Sequence, residues 1–276
     1  MIAVRAPDHL GDAVMALPAV DALAGLGPVE LWSRGRWAPD LYGDRVVAVH
    51  VGDGPPAIAE RAVLLKPSLH AAFSWRGLPT VGIGAGWPLH NALPAREEHR
   101  RDGFARLAAA AGATVSGPPA YRRRGRAPAL PDAFVGINPW SPTATVRWPR
   151  FGALVDALEA LGRPVVIFAG PGEGTRVGAE VGGRPVVEGL SLPDFAAALD
   201  GCSVFVSCDS GAAHFAAACG RDVVVVHGST SAARTGVGRP VTAAALWCQP
   251  CYRKTCLWGR PCLDRVGVQQ VIEALA

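Results

Sequence analysis

The chain is 276 residues long, with 50% apolar residues, 18% charged residues and a net charge of +4. This composition belongs to a packed globular protein, leaves little room for disorder, and is too weakly basic to argue for nucleic acid as a partner. The longest apolar runs, such as Val223–Val226, fall far short of the roughly 18 to 20 residues that cross a bilayer, and Met1-Ile2-Ala3-Val4 reads as a strand without a basic leader or cleavage site, so the expected compartment is the cytoplasm, with at most peripheral contact at the inner membrane face.

In chain order, short β-branched runs alternate with stretches of helical spacing. Ile2–Val4 reads as a strand, Ala13–Ala24 as a helix, and Val29–Trp32, Val46–Val49, Ala62–Leu65 and Thr80–Ile83 as further strands. This βαβ rhythm predicts a parallel sheet. Glu97 to Ala111 carry charge followed by alanine and leucine at helical spacing, with Gly112 where a helix would stop. Between Ser116 and Asp132 proline, glycine and arginine dominate and disfavour regular structure. A first domain over residues 1–120 and a linker over 121–132 follow from this shift. Arg122-Arg123-Arg124 and Arg126 in the linker read as a solvated stretch, or as a face for anionic lipid or an acidic substrate.

The alternation restarts with strands at Phe134–Asn138, Val165–Ala169, Val186–Val187, Val204–Ser207 and Val223–His227, separated by helices at Phe151–Leu161, Thr175–Val181, Leu192–Leu199 and Ala212–Cys219. Residues 133–276 therefore form a second domain. The expected class is α/β, two Rossmann-like domains facing across a cleft, and open parallel sheets bind ligands beyond the carboxyl ends of their strands.

Asp209-Ser210-Gly211, with His214, sits where the strand Val204–Ser207 passes into a helix. Free N–H groups and the positive end of the helix dipole favour a phosphate there, and Gly211 admits a bulky group close to the backbone. A carboxylate beside a phosphate needs hydroxyls or a cation as its partner, which points Asp209 at a sugar. A plain N-cap is the competing reading. Asp12, after the loop that follows the first strand, is placed either to take a proton from an acceptor hydroxyl or to cap the next helix. In the polar loop Asn138–Pro149, Ser141 and Arg147 are candidates to hold a diphosphate, because a guanidinium pairs two phosphate oxygens and neutralises a leaving group without a metal. Arg147 on a solvated surface, with Trp148 in the core, is the alternative. Glu173 follows the next strand and is placed to accept hydrogen bonds from a ribose. The first strand-to-helix turn lacks G-x-G-x-x-G, which argues against a dinucleotide dehydrogenase.

Gly11-Asp12 followed by Ala16-Leu17-Pro18-Ala19, the Arg147-Trp148-Pro149 loop, Leu190-Ser191-Leu192, Asp209-Ser210-Gly211 with His214, and Gly228-Ser229-Thr230 with Arg234-Thr235-Gly236 together resemble the family 9 glycosyltransferases, the bacterial lipopolysaccharide heptosyltransferases and their relatives. The resemblance covers most of the chain. It implies the two-domain GT-B fold, inversion at the anomeric centre, no cofactor for catalysis and a nucleotide-sugar donor, typically ADP-heptose. By position it makes Asp12 the catalytic base, Ser141 a diphosphate ligand, Glu173 a ribose ligand and Asp209 a donor-sugar ligand, with Ser210 and Gly211 cradling phosphate and His214 on the donor side. Many relatives carry a lysine where this chain has Val146, so neutralising the diphosphate falls to Arg147. The implied acceptor is a hydroxyl of a glycan, lipopolysaccharide core or natural product. A sugar-nucleotide epimerase or hydrolase of similar fold, and a non-catalytic zinc-containing binding protein, are the rival readings.

Cys248-x2-Cys251-x4-Cys256-x5-Cys262 has the density of a metal site, since a Cys-x2-Cys hairpin presents two thiolates at once. A structural zinc, an iron–sulfur centre, a disulfide and unliganded thiols are all compatible with the spacing. Cys202, Cys208 and Cys219 read as small core residues.

Overall fold

The structure, a computed structural model, describes every residue except 53, 55–57, 67–68, 85–88 and 245, and the backbone alone at 69 and 71. Its packing separates two compact units, Met1–Ala120 and Tyr121–Ala276.

The first unit runs β1 (Ile2–Arg5), α1 (Leu10–Met15), α2 (Leu17–Ala24), β2 (Val29–Ser33), α3 (Ala38–Tyr42), β3 (Ala48–Val51), β4 (Arg61–Leu64), α4 (Leu69–Ser74), β5 (Thr80–Ile83), β6 (Asn91–Leu93) and α5 (Arg100–Ala110). Its six strands lie in the order β3-β2-β1-β4-β5-β6, every neighbouring pair parallel. The helix expected over Ala13–Ala24 begins earlier, at Leu10, and is broken at Ala16. Pro18 is the physical reason. It is the second residue of α2 and has no N–H to continue the ladder of α1.

The second unit runs β7 (Phe134–Asn138), a 3₁₀ turn (Ala144–Val146), α6 (Phe151–Ala160), β8 (Val165–Ala169), α7 (Gly174–Glu180), β9 (Val186–Glu188), α8 (Leu192–Ala198), β10 (Cys202–Cys208), α9 (Gly211–Ala218), β11 (Val223–Val226), α10 (Ala232–Thr235), β12 (Arg239–Val241), α11 (Pro261–Asp264) and α12 (Val268–Glu273). The order β12-β11-β10-β7-β8-β9, again all parallel, repeats the path of the first unit. In each unit the first and fourth strands of the path are neighbours, and the chain turns outward from them in opposite directions. That is the switch point where a parallel sheet opens a crevice.

Alternation along the strands gives the second sheet two different faces. Val135, Ile137, Ile167, Val204, Val206, Val224 and Val226 share a core with Trp148 and with Phe151, Leu154, Val155 and Leu158 of α6. On the other face Phe168, Phe195, Phe205 and Phe215 form an aromatic layer with ring centroids 5.2–6.1 Å apart. Gly136 of β7 makes room for it, since a Cβ there would stand 2.7 Å from Cδ2 of Phe205. Residues 121–132 form neither helix nor strand, and they lie along the second unit. Tyr121 is buried, donates its N–H to the Ala218 carbonyl (2.8 Å) and sets its ring 4.8 Å from Phe215. Arg124 pairs with Asp200 at 3.1 Å and the backbone N–H of Arg126 reaches Asp194 at 2.7 Å, so the Arg124 side chain and the backbone at Arg126 are held against the second unit. No helix among the described residues is long and apolar enough to cross a membrane.

Trp148 anchors the C-terminal helices, with its ring against Phe151 and its Nε1–H donated to the Val266 carbonyl at 3.0 Å. Trp148→Ala is expected to cost about 3–5 kcal/mol of unfolding free energy, as for other buried large aromatics. Trp148→Phe should cost less while losing the hydrogen bond, about 1–3 kcal/mol. Chemical denaturation of the two variants beside the parent measures both.

Candidate active site

At the switch point of the first unit, Arg5 at the end of β1 is a buried cation, 1% exposed. Its guanidinium donates to the carbonyls of Ala6 (2.6 Å) and Trp32 (3.2 Å) and to Oδ1 of Asp8 (2.8 Å). Asp8 also accepts from the Arg34 N–H at 3.0 Å and from Lys66, which follows β4. Burial works to raise the Asp8 pKa, but the Lys66, Arg34 and Arg5 donors outweigh it and hold it at about 2. The loop from Ala6 to His9 is thereby fixed. Asp12 sits three residues into α1, in its first turn, whereas the N-cap position belongs to His9. It is therefore not the cap of that helix. Arg100, the first residue of α5, donates to its Oδ2 at 2.5 Å.

In the second unit the loops after β7, β10 and β11 meet at the carboxyl edge of the sheet. Asp209 is almost wholly buried. Its Oδ2 accepts from the Thr235 hydroxyl at 3.0 Å, Oδ1 lies 3.7 Å from Nε2 of His214, and Oδ2 lies 3.9 Å from Nδ1 of His227. Burial pushes its pKa upward, yet His214, His227 and Thr230 prevail and hold it below the usual carboxylate range. Ser210 occupies the N-cap of α9 but makes no capping bond. Its hydroxyl is 2.8 Å from that of Ser207 instead. The capping reading therefore fails at Ser210, and Gly211 opens the helix without a side-chain cap from the residue before it.

Ser141 is buried and its Oγ accepts the Thr143 N–H at 3.2 Å. Arg147 stacks over the ring of Trp140 at 4.2 Å and stands 3.7 Å from Glu180 of α7. Cys208 at the end of β10 donates its thiol to the Trp140 carbonyl at 3.4 Å, so Arg147, stacked on that residue's ring, and Asp209 belong to one neighbourhood. Val146 and Trp148 on either side are buried. Glu173 turns back on its own loop, where Oε2 accepts the Gly170 N–H at 3.1 Å. Cys202, Cys208 and Cys219 are buried, which pushes their thiols up to about 11, 12 and 12. Cys248, Cys251 and Cys256 line one cavity, whereas Cys262 is buried on α11. Among the described residues, no group of three or more His, Cys, Asp or Glu side chains is placed to hold a metal ion.

The sequence profile described as Glycosyltransferase family 9 (heptosyltransferase) matches residues 102–260, more than half of the chain. The chain belongs to glycosyltransferase family 9. No curated protein sequence matches it. Among solved structures, a family 9 glycosyl transferase from Veillonella parvula DSM 2008 has a TM-score of 0.75 at 18% identity, covering 99% of this chain and 95% of the other. The E. coli heptosyltransferase WaaC with ADP-2-deoxy-2-fluoro heptose has a TM-score of 0.73 at 15% identity over 99% and 98%. TibC from enterotoxigenic E. coli H10407, described as an iron-containing dodecameric glycosyltransferase, has a TM-score of 0.70 at 16% identity over 99% and 74%. The architecture is accordingly the GT-B pair of Rossmann-like units, and this family 9 member is a glycosyltransferase.

Sequence reasoning missed four residues of this glycosyltransferase that its strand order brings to the switch points: Arg5, Asp8 and Lys66 in the first unit, and His227 in the second. His227 is 1% exposed, with Nδ1 3.3 Å from the Thr230 hydroxyl, while its Nε2 is buried without a hydrogen-bond partner among the described residues. Burial depresses its pKa despite the nearby Asp209 carboxylate. A histidine ending a run of four valines is the signal that could have found it, once β11 is known to lie beside β10.

The Asp8 carboxylate has a folded pKa of about 2 against an ordinary 3.8, so its contribution to stability is present above pH 3.8 and disappears as the pH falls through 2. Asp8→Asn is expected to lower the melting temperature at neutral pH, and the gap from the parent should shrink across that acid window. Thermal melts between pH 7 and the acid limit read this directly; a gap independent of pH would show that Asp8 acts through packing alone.

Proposed function

We propose that this glycosyltransferase moves heptose from ADP-heptose to a hydroxyl of a glycan, such as lipopolysaccharide core, with inversion at the anomeric carbon. The observation that carries the reading is Asp209, a buried carboxylate held ionised by two imidazoles and by hydroxyls, beside the uncapped first turn of α9. A sugar hydroxyl satisfies such an oxygen, and the diphosphate next to it satisfies the amides. The solved relatives WaaC and TibC, whose structures hold ADP-2-deoxy-2-fluoro heptose and ADP-D-β-D-heptose, support adenine and heptose as the donor's parts.

In this reading Ser210, Gly211, Ser141 and Arg147 take the diphosphate, Glu173 takes the ribose, and Asp209 with His214 orients the sugar. Arg147 exchanges its loose contact with Glu180 for the phosphates while keeping its stack on Trp140. The acceptor oxygen attacks the anomeric carbon from the face opposite the diphosphate, and its proton passes to the Asp12 carboxylate. The bond from carbon to the diphosphate oxygen breaks with its electron pair leaving on ADP. Charge growing on that leaving group is met by the α9 amides and Arg147, donors already in place before the reaction. Arg100 holds Oδ2 of Asp12 and so fixes the carboxylate's orientation.

Two outcomes test the assignment. ADP and ADP-heptose should raise the melting temperature and GDP and UDP should not, because a ligand at a hundred times its Kd adds about 2.7 kcal/mol of stability. Asp209→Asn should keep the shift with ADP and lose the additional shift due to the sugar. Asp12→Asn should keep both shifts and lower kcat by about 10²–10⁴, the range of general-base contributions; near-normal transfer by this variant would remove Asp12 from the mechanism.

A further inference from the structure

The segment 246–260 has no part in the donor reading, yet it concentrates exposed apolar surface. Trp247 is 87% exposed, Leu257 78% and Trp258 66%, and they border a single cavity of about 270 Å³ together with Arg253. Tyr252 is exposed as well, with the guanidinium of Arg234 5.8 Å from its ring centroid. From Val223 to Leu263 the chain carries five cations, Arg234, Arg239, Arg253, Lys254 and Arg260, and no acidic residue. Arg234, Arg253 and Lys254 are exposed, and none of the three enters an ion pair among the described residues. Aromatic rings left in water beside unpaired cations form the pattern that settles at a lipid–water boundary, the rings at headgroup depth and the cations on anionic headgroups.

The segment is not a loose tail. The Cys251 and Tyr252 N–H groups donate to the Ser229 carbonyl at 3.1 and 3.0 Å, Gln249 Nε2 donates to the Gly228 carbonyl at 2.7 Å, and Thr145 donates to the Arg253 carbonyl. Arg260 reaches the carbonyls of Ala144 and Arg147, both at 3.2 Å. The apolar rings are therefore presented by a backbone that is bonded to the loops after β7 and β11. Such a fixed display loses little conformational entropy on docking.

We propose that Trp247, Leu257 and Trp258, with Arg234, Arg253 and Lys254, form a docking surface for an anionic lipid bilayer. Attachment by three side chains and three charges is reversible and peripheral, and it weakens as salt screens the headgroups.

The test is sedimentation of the full chain with vesicles of equal parts phosphatidylglycerol and phosphatidylcholine, and with phosphatidylcholine alone, without nucleotide or acceptor. Binding to the anionic vesicles and not to the neutral ones, falling as salt rises, is expected. Trp247→Ala with Trp258→Ala should weaken it at least tenfold, and Arg253→Glu with Lys254→Glu by about thirtyfold or more, since each interfacial cation is worth about a factor of five. All four positions are exposed, so the variants should melt with the parent. Equal partition to both vesicle types, or none to either, overturns the proposal. So does self-association that the tryptophan variants abolish without any vesicle binding, which would make a second copy of the chain the occupant. Neither result touches the donor assignment, because no nucleotide enters the measurement.

Discussion

Every neighbouring strand pair in both sheets is parallel, and the rest of the structure depends on that constraint. Parallel strands require crossover connections, so helices pack against the sheets and the central strands become apolar on both sides, while the edge strands β3 and β6 stay partly exposed. Val223–Val226 is the limiting case, four buried valines in succession. Polar chemistry is then excluded from the sheet itself and confined to the edge where the strands end. The repeated strand order puts β1 beside β4 and β7 beside β10. Asp8 and Lys66 meet at the first of these places, and Cys208, Asp209 and the loop of Trp140 meet at the second.

Each unit places a buried charge at its switch point, and each solves the desolvation problem differently. In the first unit a buried guanidinium is matched by a carboxylate and two carbonyls, with Lys66 closing the far side of Asp8. The arrangement is saturated and rigid, and its effect is to set the turn into α1 on which Asp12 stands. In the second unit the buried carboxylate of Asp209 has two imidazoles at 3.7 and 3.9 Å, longer than hydrogen bonds to oxygen should be, and a hydroxyl at 3.0 Å. These long contacts, with the Thr235 hydroxyl, hold the Asp209 carboxyl below the usual carboxylate range without saturating its oxygens.

The loops around Asp209 are also braced from behind. Ser229 donates to Thr145 at 3.1 Å, and the Cys-rich segment bonds to the backbone of both loops. Substitutions in residues 246–262 would therefore be felt at Ala144–Arg147 and Gly228–Ser229 through hydrogen bonds, without contact to a donor. Cys256 has a role in shape there, because its Sγ accepts the Trp258 and Arg260 N–H groups and helps to close that turn.

The sequence by itself determined ten of the twelve strands among the described residues, since a run of β-branched residues buried on both faces has few other places to go. Phe134–Asn138, Val165–Ala169 and Thr80–Ile83 agree to the residue, and others differ by one to three. It also exposed Asp12, Ser141, Glu173 and Asp209 as polar residues following such strands, and their resemblance to one family. Short elements escaped it. Asn91–Leu93, Arg239–Val241, Ala232–Thr235 and Pro261–Asp264 are too brief for any periodicity to register. What only the tertiary structure decided was partnership. Arg5 and Trp32 are 27 residues apart, Lys66 and Asp8 58, and Asp12 and Arg100 88. A contact across that distance depends on which strands become neighbours, and that follows from how the whole sheet buries its two faces. The local pattern around either residue carries no trace of it.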